Sequence, residues 1–422
     1  MLNQSPFPCS TAYPVARNCG TLPVIVFVAL LCSVPSRVSA LDWYRWRGPD
    51  LNGISKETGW STSWPTEGPK QLWKASVGTG FSSISINKGR AYTMGNRHDT
   101  ETVYCLDADT GAVIWKHSYP CVADPNLYEG GPNATPTVDG KVVYTFSRRG
   151  HVFALGAETG TVIWSKNLRN ELGLTLPEWG FSGSPLVQGQ LLILNAGVGG
   201  TALDKETGKT VWTSSKDSAG YSTPVPFNQG RTRAVLVFST KALLAVDATS
   251  GKKLWEHSWP TPHGVNAADP IVFGDKILVS SGYGKGCALL RVFDGKPSVL
   301  WENRTMRNHF NSSVVLGENA YGFDESELKC LDLNTGTVRW TQRGLGKGSL
   351  IAADGKLVIL AEKGELIITE ATPTAFKPLS RAQVLGGKCW TSPALSNGRI
   401  YCRNAKGDLV CVDVSAKQTS HR

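Results

Sequence analysis

Short apolar runs alternate with polar turns along most of this chain, and the alternation itself recurs. Runs such as Val103-Tyr104-Cys105-Leu106 and Ala242 to Val246 are apolar and partly alternating, which predicts strands. Each leads into an Asp-x-x-Thr-Gly type segment, where Asp bonds its own downstream backbone and Gly accepts the positive φ of a tight reversal. A second apolar run then ends in Trp. The result is an eleven-residue phrase with a small residue at position 1, Gly at position 7 and Trp at position 11. It reads CLDADTGAVIW from Cys105, ALGAETGTVIW from Ala154, ALDKETGKTVW from Ala202, AVDATSGKKLW from Ala245 and CLDLNTGTVRW from Cys330. Its return about every 40 to 50 residues marks a repeat architecture.

Ahead of most phrases lie two further strands joined by a turn, as in Thr135-Pro-Thr-Val-Asp-Gly-Lys-Val-Val-Tyr144. One period is therefore four antiparallel strands, which predicts an all-β fold, a β-propeller. The small first residue and the Trp are expected to pack between neighbouring blades. Degenerate copies complete the count. Trp301 ends a decayed copy whose turn is Phe293-Asp-Gly-Lys-Pro, and Leu379, ten residues after Thr369, is assigned the Trp position of a copy that has lost Gly and Trp. The last phrase, from Cys411, runs out before its Trp, and Trp73 lies one period (42 residues) before Trp115. The reading is an eight-bladed propeller over 69–414, its last blade closed by pairing the N- and C-terminal strands, which leaves no open sheet edge. Trp73, Trp115, Trp164, Trp212, Trp255, Trp301 and Trp340 are its docking residues.

The phrase ALDxxTGxxxW resembles the tryptophan-docking motif of quinoprotein-type (PQQ-repeat) eight-bladed propellers, over roughly residues 69 to 414. The resemblance has two branches. One is the PQQ-dependent dehydrogenases, which bind quinone and a cation in a central funnel. The other is non-enzymatic propellers similar to BamB of the outer-membrane β-barrel assembly machine. WYRWRGPDLNGIS (Trp43 to Ser55) followed by WPTEGPKQLW also resembles the N-termini of exported PQQ-repeat proteins of planctomycete-type bacteria.

Residues 22–34 (LPVIVFVALLCSV) are apolar for 13 residues, short for a bilayer span, and end near Val38-Ser39-Ala40. A signal peptide over 1–40 with cleavage after Ala40 is expected, and with it a periplasmic or secreted location. Cys32 follows Leu31, a poor lipoprotein site. The expected order is then an N-terminal extension (41–68), the propeller (69–414) and a short tail (415–422). The formal charge of +10 includes Arg17 and Arg37, leaving +8 for the mature chain, scattered without a run of five like charges. Nothing reads as a nucleic-acid motif. Seven cysteines remain after cleavage. Cys105, Cys330 and Cys411 stand where other copies have Ala and read as small buried side chains.

Chemistry is expected on the face where outer strands connect to the next inner strand, because those connections, 117–132, 166–180, 257–266 and 302–308, are long and rich in aromatics, Gly and polar groups. A second recurring pattern, a small polar residue before Pro, opens the inner strands at Thr135, Ser184, Thr223, Asp269 and Ser392. Residues near it should ring the channel mouth, and Trp179, Tyr221, His263, Asn266, His309, Asn311 and Trp390 are the candidate binding set.

The dehydrogenase branch implies a vicinal Cys-Cys pair and a convergent Glu, Asn and Asp. No two cysteines are adjacent, and only Glu178, Asn266 and Asp269 could be assigned those roles. No haem, hydrolase or metalloprotease motif is present. The expected function is a monomeric, non-enzymatic scaffold for a protein or cell-envelope polymer, with no catalytic residues, no metal and no cofactor. A PQQ- and calcium-dependent oxidoreductase and a carbohydrate or small-ligand binder are the alternatives.

Overall fold

The structure is a computed structural model that describes residues 41–416. The predicted signal segment and the end of the tail lie outside these residues. Eight antiparallel sheets follow one another along the chain, each meandering from an inner to an outer strand. Seven are contiguous: 85–120, 137–167, 186–213, 225–258, 271–303, 314–342 and 349–383. The eighth takes three strands from 394–413 and its outer strand, Gln71–Ser76, from the other end of the propeller. Trp73 pairs with Cys411 in that blade, so the expected closure through the termini is what the fold does.

Across each ladder the Trp faces the small first residue of its own phrase: Trp115 opposite Cys105, Trp212 opposite Ala202, Trp340 opposite Cys330. The indole then reaches the next blade and donates to the carbonyl just after that blade's turn Asp or its equivalent. Trp73 bonds Ala108 O, Trp115 bonds Ala157 O, Trp164 bonds Lys205 O and Trp212 bonds Ala248 O, at 2.8–3.0 Å. Trp301 does the same to Leu333 O, and Trp340 reaches Thr372 O, one residue further along the seventh blade's turn. The turn glycine lies flat on the ring it receives. A Cβ on Gly251, at φ +70°, would sit 2.6 Å from the Trp212 ring, and one on Gly160 2.6 Å from Trp115. Gly at position 7 is thus required twice, for the turn and for the close approach to the preceding blade's indole. Trp73, Trp115, Trp212 and Trp255 are buried, whereas Trp164, Trp301 and Trp340 keep part of their surface exposed.

Two seams depart from the rule. Gly295 of the decayed turn meets the Gln229 amide and no indole, and Trp255 donates to that same Gln229 side chain of its own blade, 2.9 Å away. In the seventh blade the Trp position belongs to Ser380, which pairs with Ile368, and not to Leu379 as the spacing suggested. The turn there is two residues longer than in the other copies, which shifts the register. That seam is completed by the extension. Ser61 N donates to Val414 O (2.7 Å), the carbonyl an indole would otherwise bond, and Ser380 Oγ donates to Thr62 O (2.6 Å). Trp60 is buried in the same apolar cluster as Ile368, Val412 and Val414.

The rest of the extension runs across the lower face, the face of the tight turns. Leu41 O accepts Ser396 Oγ, Trp43 O accepts Ile86 N and Tyr44 O accepts Val138 N. Ile54–Ser55 adds a short parallel strand to Ala352 and Ala353, and the Glu57 carboxylate receives the amides of Asn397 and Gly398. The segment therefore touches inner strands around the ring.

All seven cysteines of the described residues are free and buried. Burial pushes the Cys105 and Cys411 thiols up to about 12, as expected of small apolar packing residues. One buried acid is less inert. Glu101 lies fully buried in the first blade, where Tyr119 Oη donates to it, and burial raises its carboxyl to about 7 although that bond and Arg148 pull it down. The native state therefore holds its proton more tightly than the unfolded chain does. Its contribution to stability is full below the ordinary carboxylate pKa and declines as pH rises from about 4.5 to about 7. Glu101→Gln is expected to flatten that part of the curve and to raise the melting temperature at pH 8 relative to the wild type. Thermal scans of both proteins at pH 5 and pH 8 check this, and an unchanged pH dependence in the variant would contradict it.

Candidate functional site

The small polar residue before each inner-strand Pro is a stitch between blades. Ser83 N donates to Thr135 Oγ1, Thr135 N to Ser184 Oγ, Ser184 N to Thr223 Oγ1, Thr223 N to Asp269 Oδ1 and Asp269 N to Ser312 Oγ, all at 2.7–3.0 Å. Ser83 Oγ bonds Ser392 O (2.7 Å) across the closing seam. This belt surrounds the axis. Asp269 alone among these stitches is ionisable. Its second oxygen accepts Trp46 Nε1 at 2.6 Å, and Arg47 Nε lies 3.9 Å away.

Above the belt is a cavity of about 440 Å³. Trp46 from the extension lines it together with Asp269 of the belt, and the long upper connections contribute Tyr128, Trp179 and Val265 to the wall. Aromatic rings form an arc along one side. Phe81 lies 5.4 Å from Tyr128 and 5.8 Å from Trp390, Phe310 lies 4.6 Å from Trp390, and His309 contacts Phe310 and Tyr283 at 4.8 and 4.6 Å between centroids. Trp179 and Tyr221 pair at 6.0 Å. Such offset and tilted contacts stabilise the wall and leave ring area facing the lumen.

Five of the seven candidate residues line this cavity: Trp179, Tyr221, His309, Asn311 and Trp390. His263 and Asn266 do not. His263 is exposed on the rim at φ +61°, 6.1 Å from Tyr283. Asn266 is fully buried behind the wall, where its amide bonds Ser239 O, Trp259 O and Ser281 Oγ. It closes a loop and meets no lumen. Glu178 is exposed and also outside the lining, so Glu178, Asn266 and Asp269 do not form a shared lining set. Sequence reasoning missed Trp46, Phe81, Tyr128, Tyr283 and Phe310. Phe81 and Phe310 each stand two residues before a small belt residue (Ser83 and Ser312), a signal the small-polar-Pro pattern hid because neither blade has the Pro there.

Polar capacity in the cavity is mostly taken. Asn311 Nδ2 bonds Gly348 O and Trp390 O, and Trp390 Nε1 bonds Glu362. Lys347 Nζ lies 2.9 Å from His309 Nδ1. Burial, and then the Lys347 charge, hold His309 down to about 4, so it is neutral with Nδ1 accepting from the ammonium. Burial likewise raises Asp269 against the pull of Arg47. At the rim, Leu127 lines the cavity yet is 91% exposed and sits at φ +63°.

Fold and cavity define an eight-bladed propeller with an aromatic funnel opening among its upper connections. The family described as outer membrane protein assembly factor BamB matches residues 99–342, and the chain belongs to that family. Among solved structures, BamB from Moraxella catarrhalis is similar at 17% identity and TM-score 0.61, over 82% of this chain and 99% of that one. The quinohemoprotein alcohol dehydrogenase from Comamonas testosteroni is similar at 13% identity and TM-score 0.66, over 89% of this chain and 81% of that one. Sqt1 from Saccharomyces cerevisiae shares 11% identity at TM-score 0.60, over 82% of this chain and 99% of that one. At these identities the likeness is one of fold. No curated protein matches the sequence.

Proposed function

We propose that this protein is an exported binding scaffold that captures a protein partner through its upper rim, seating an apolar side chain of the partner in the funnel. The observation that carries the reading is Leu127, an almost fully exposed leucine in a left-handed conformation at the mouth of an aromatic cavity. Exposed apolar groups beside a concave aromatic surface are what recognition patches present. Membership of the BamB family supports a role in binding. A periplasmic or secreted location fits this role, and among the described residues no helix is long and apolar enough to cross a membrane.

The quinone reading finds less support in the donor set. PQQ is a tricarboxylate, and calcium takes roughly 6–8 oxygen ligands. The cavity lining offers one carboxylate, Asp269, already bonded to Thr223 N and Trp46, and one cation, Lys347, already bonded to His309. Among the described residues no cluster of three His, Cys, Asp or Glu side chains could hold a metal. These residues do not fit a quinone–calcium pair, and no redox step follows from them.

The test is a photo-crosslinking amino acid placed at position 127 in cells, with position 293 on the lower face as control. Position 127 is expected to give a discrete adduct with an envelope protein, lost when Trp179 and Trp390 are both replaced by Ala in a protein that still folds by circular dichroism. An adduct from position 293 alone, or one at 127 indifferent to the double substitution, would sink the reading.

A further inference from the structure

The motif WYRWRGPDLNG, which the blade repeat does not explain, folds into a compact knot beneath the funnel. Arg47 and Leu51 adopt φ of +57° and +56°, and Gly48 and Gly53 are also left-handed. The buried Arg47 guanidinium gathers the chain around itself, donating to Leu51 O and Asn52 O of its own segment and to Ser312 O and Ser313 O of the sixth blade, at 2.7–3.3 Å. Its neighbour Trp46 projects into the cavity lining and is tied by its indole N–H to Asp269. At the same belt position other blades carry Thr135, Ser184, Thr223 and Ser312, whose hydroxyls suffice for the stitch. An acid at 269 adds nothing to the belt that a hydroxyl lacks. What it adds is a second oxygen, and that oxygen faces Trp46 and Arg47.

We infer that the N-terminal extension is a working part of the binding site: Trp46 is the surface on which an occupant of the funnel rests, and Asp269 is the positioning residue that holds it there. The inference rests on the funnel being a binding site. The propeller alone supplies the wall, and the extension supplies the floor and so sets the depth. A desolvated Arg47 confined by four carbonyls and one acid makes the arrangement single-valued, since an indole or guanidinium displaced from these acceptors would leave them buried and unpaired.

Binding of N-phenyl-1-naphthylamine, a flat uncharged dye, to the mature chain tests this by fluorescence titration. Trp46→Ala and Trp390→Ala are each expected to weaken the dye roughly tenfold, since each removes an aromatic face that lines the cavity. Weakening by Trp390→Ala alone overturns the role of Trp46 and leaves the funnel standing. If neither weakens the dye, or the wild type takes up none, the funnel reading falls with it. For the positioning role, Asp269→Ser supplies the residue type of the other blades. Limited trypsin digestion is expected to cut after Arg47 at least tenfold faster in this variant than in the wild type while the blades stay intact. Equal protection of Arg47 in a folded Asp269→Ser protein would overturn the positioning role. If that variant does not fold, Arg47→Met read by the same dye decides: unchanged affinity overturns the positioning of Trp46 by the Arg47–Asp269 arrangement, and a loss comparable to Trp46→Ala supports it.

Discussion

Trp212→Ala is expected to destabilise the propeller by about 3–5 kcal/mol, the usual range for truncating a large buried ring. Three losses combine. The indole is buried against the fourth blade, its N–H bonds Ala248 O at 2.8 Å, and the backbone of Gly251 lies on the ring face. Nothing nearby can collapse into the gap, because the glycine has no side chain and the turn around it is pinned by Asp247, which accepts from Thr249 N, Ser250 N and Ser250 Oγ. Trp212→Phe keeps most of the ring and orphans one carbonyl, so its cost should be about 1–3 kcal/mol. Urea unfolding of the two variants checks both size and order. A loss under about 1 kcal/mol for the alanine variant would mean that the indoles do not hold the blades together.

Arg403→Met is expected to cost roughly 2–5 kcal/mol, by leaving several buried acceptors unpaired. Arg403 lies on the eighth blade, fully buried, and its guanidinium crosses the closing seam to Ser82 O, Thr93 Oγ1 and Met94 O of the first blade and to Gly78 O, at 2.6–3.1 Å. Among the described residues no carboxylate is paired with it, and burial lowers it to about 9, so it remains charged at neutral pH and is solvated by three carbonyl oxygens and one hydroxyl. Methionine fills the stem and removes the clasp. Because the seam joins the two ends of the propeller, unfolding should also lose cooperativity, visible as a separation between the fluorescence and circular dichroism transitions. A melting temperature within a degree or two of the wild type would show that strand pairing of Gln71–Ser76 suffices for closure.

The blade repeat was legible because it is enforced locally. Each copy must make the same turn, present the same flat glycine and reach the same distance with an indole, so the spacing of Asp, Gly and Trp is written into every period. The closure through Trp73 was legible for the same reason: the missing Trp of the last copy had to stand one period before Trp115. Where the constraint was relaxed the reading slipped. With no Trp and no Gly to anchor the seventh copy, ten-residue spacing pointed to Leu379, while a longer turn brings Ser380 to the ladder. The funnel was legible only in part, since residues adjacent to the recurring Pro were found and Phe81, Phe310 and Tyr128 were not.

What the sequence by itself determined, then, is the set of contacts between one blade and the next, because these repeat and their chemistry shows in a window of eleven residues. What only the tertiary structure decided is everything that converges from many blades or from the non-repeating extension. Trp46 meets Asp269 across 223 residues of sequence, Ser61 replaces an indole at Val414, and Asn266 faces the backbone when its position promised the lumen. These choices depend on where loops from different periods come to lie around a shared axis, and no local spacing encodes a distance across a ring.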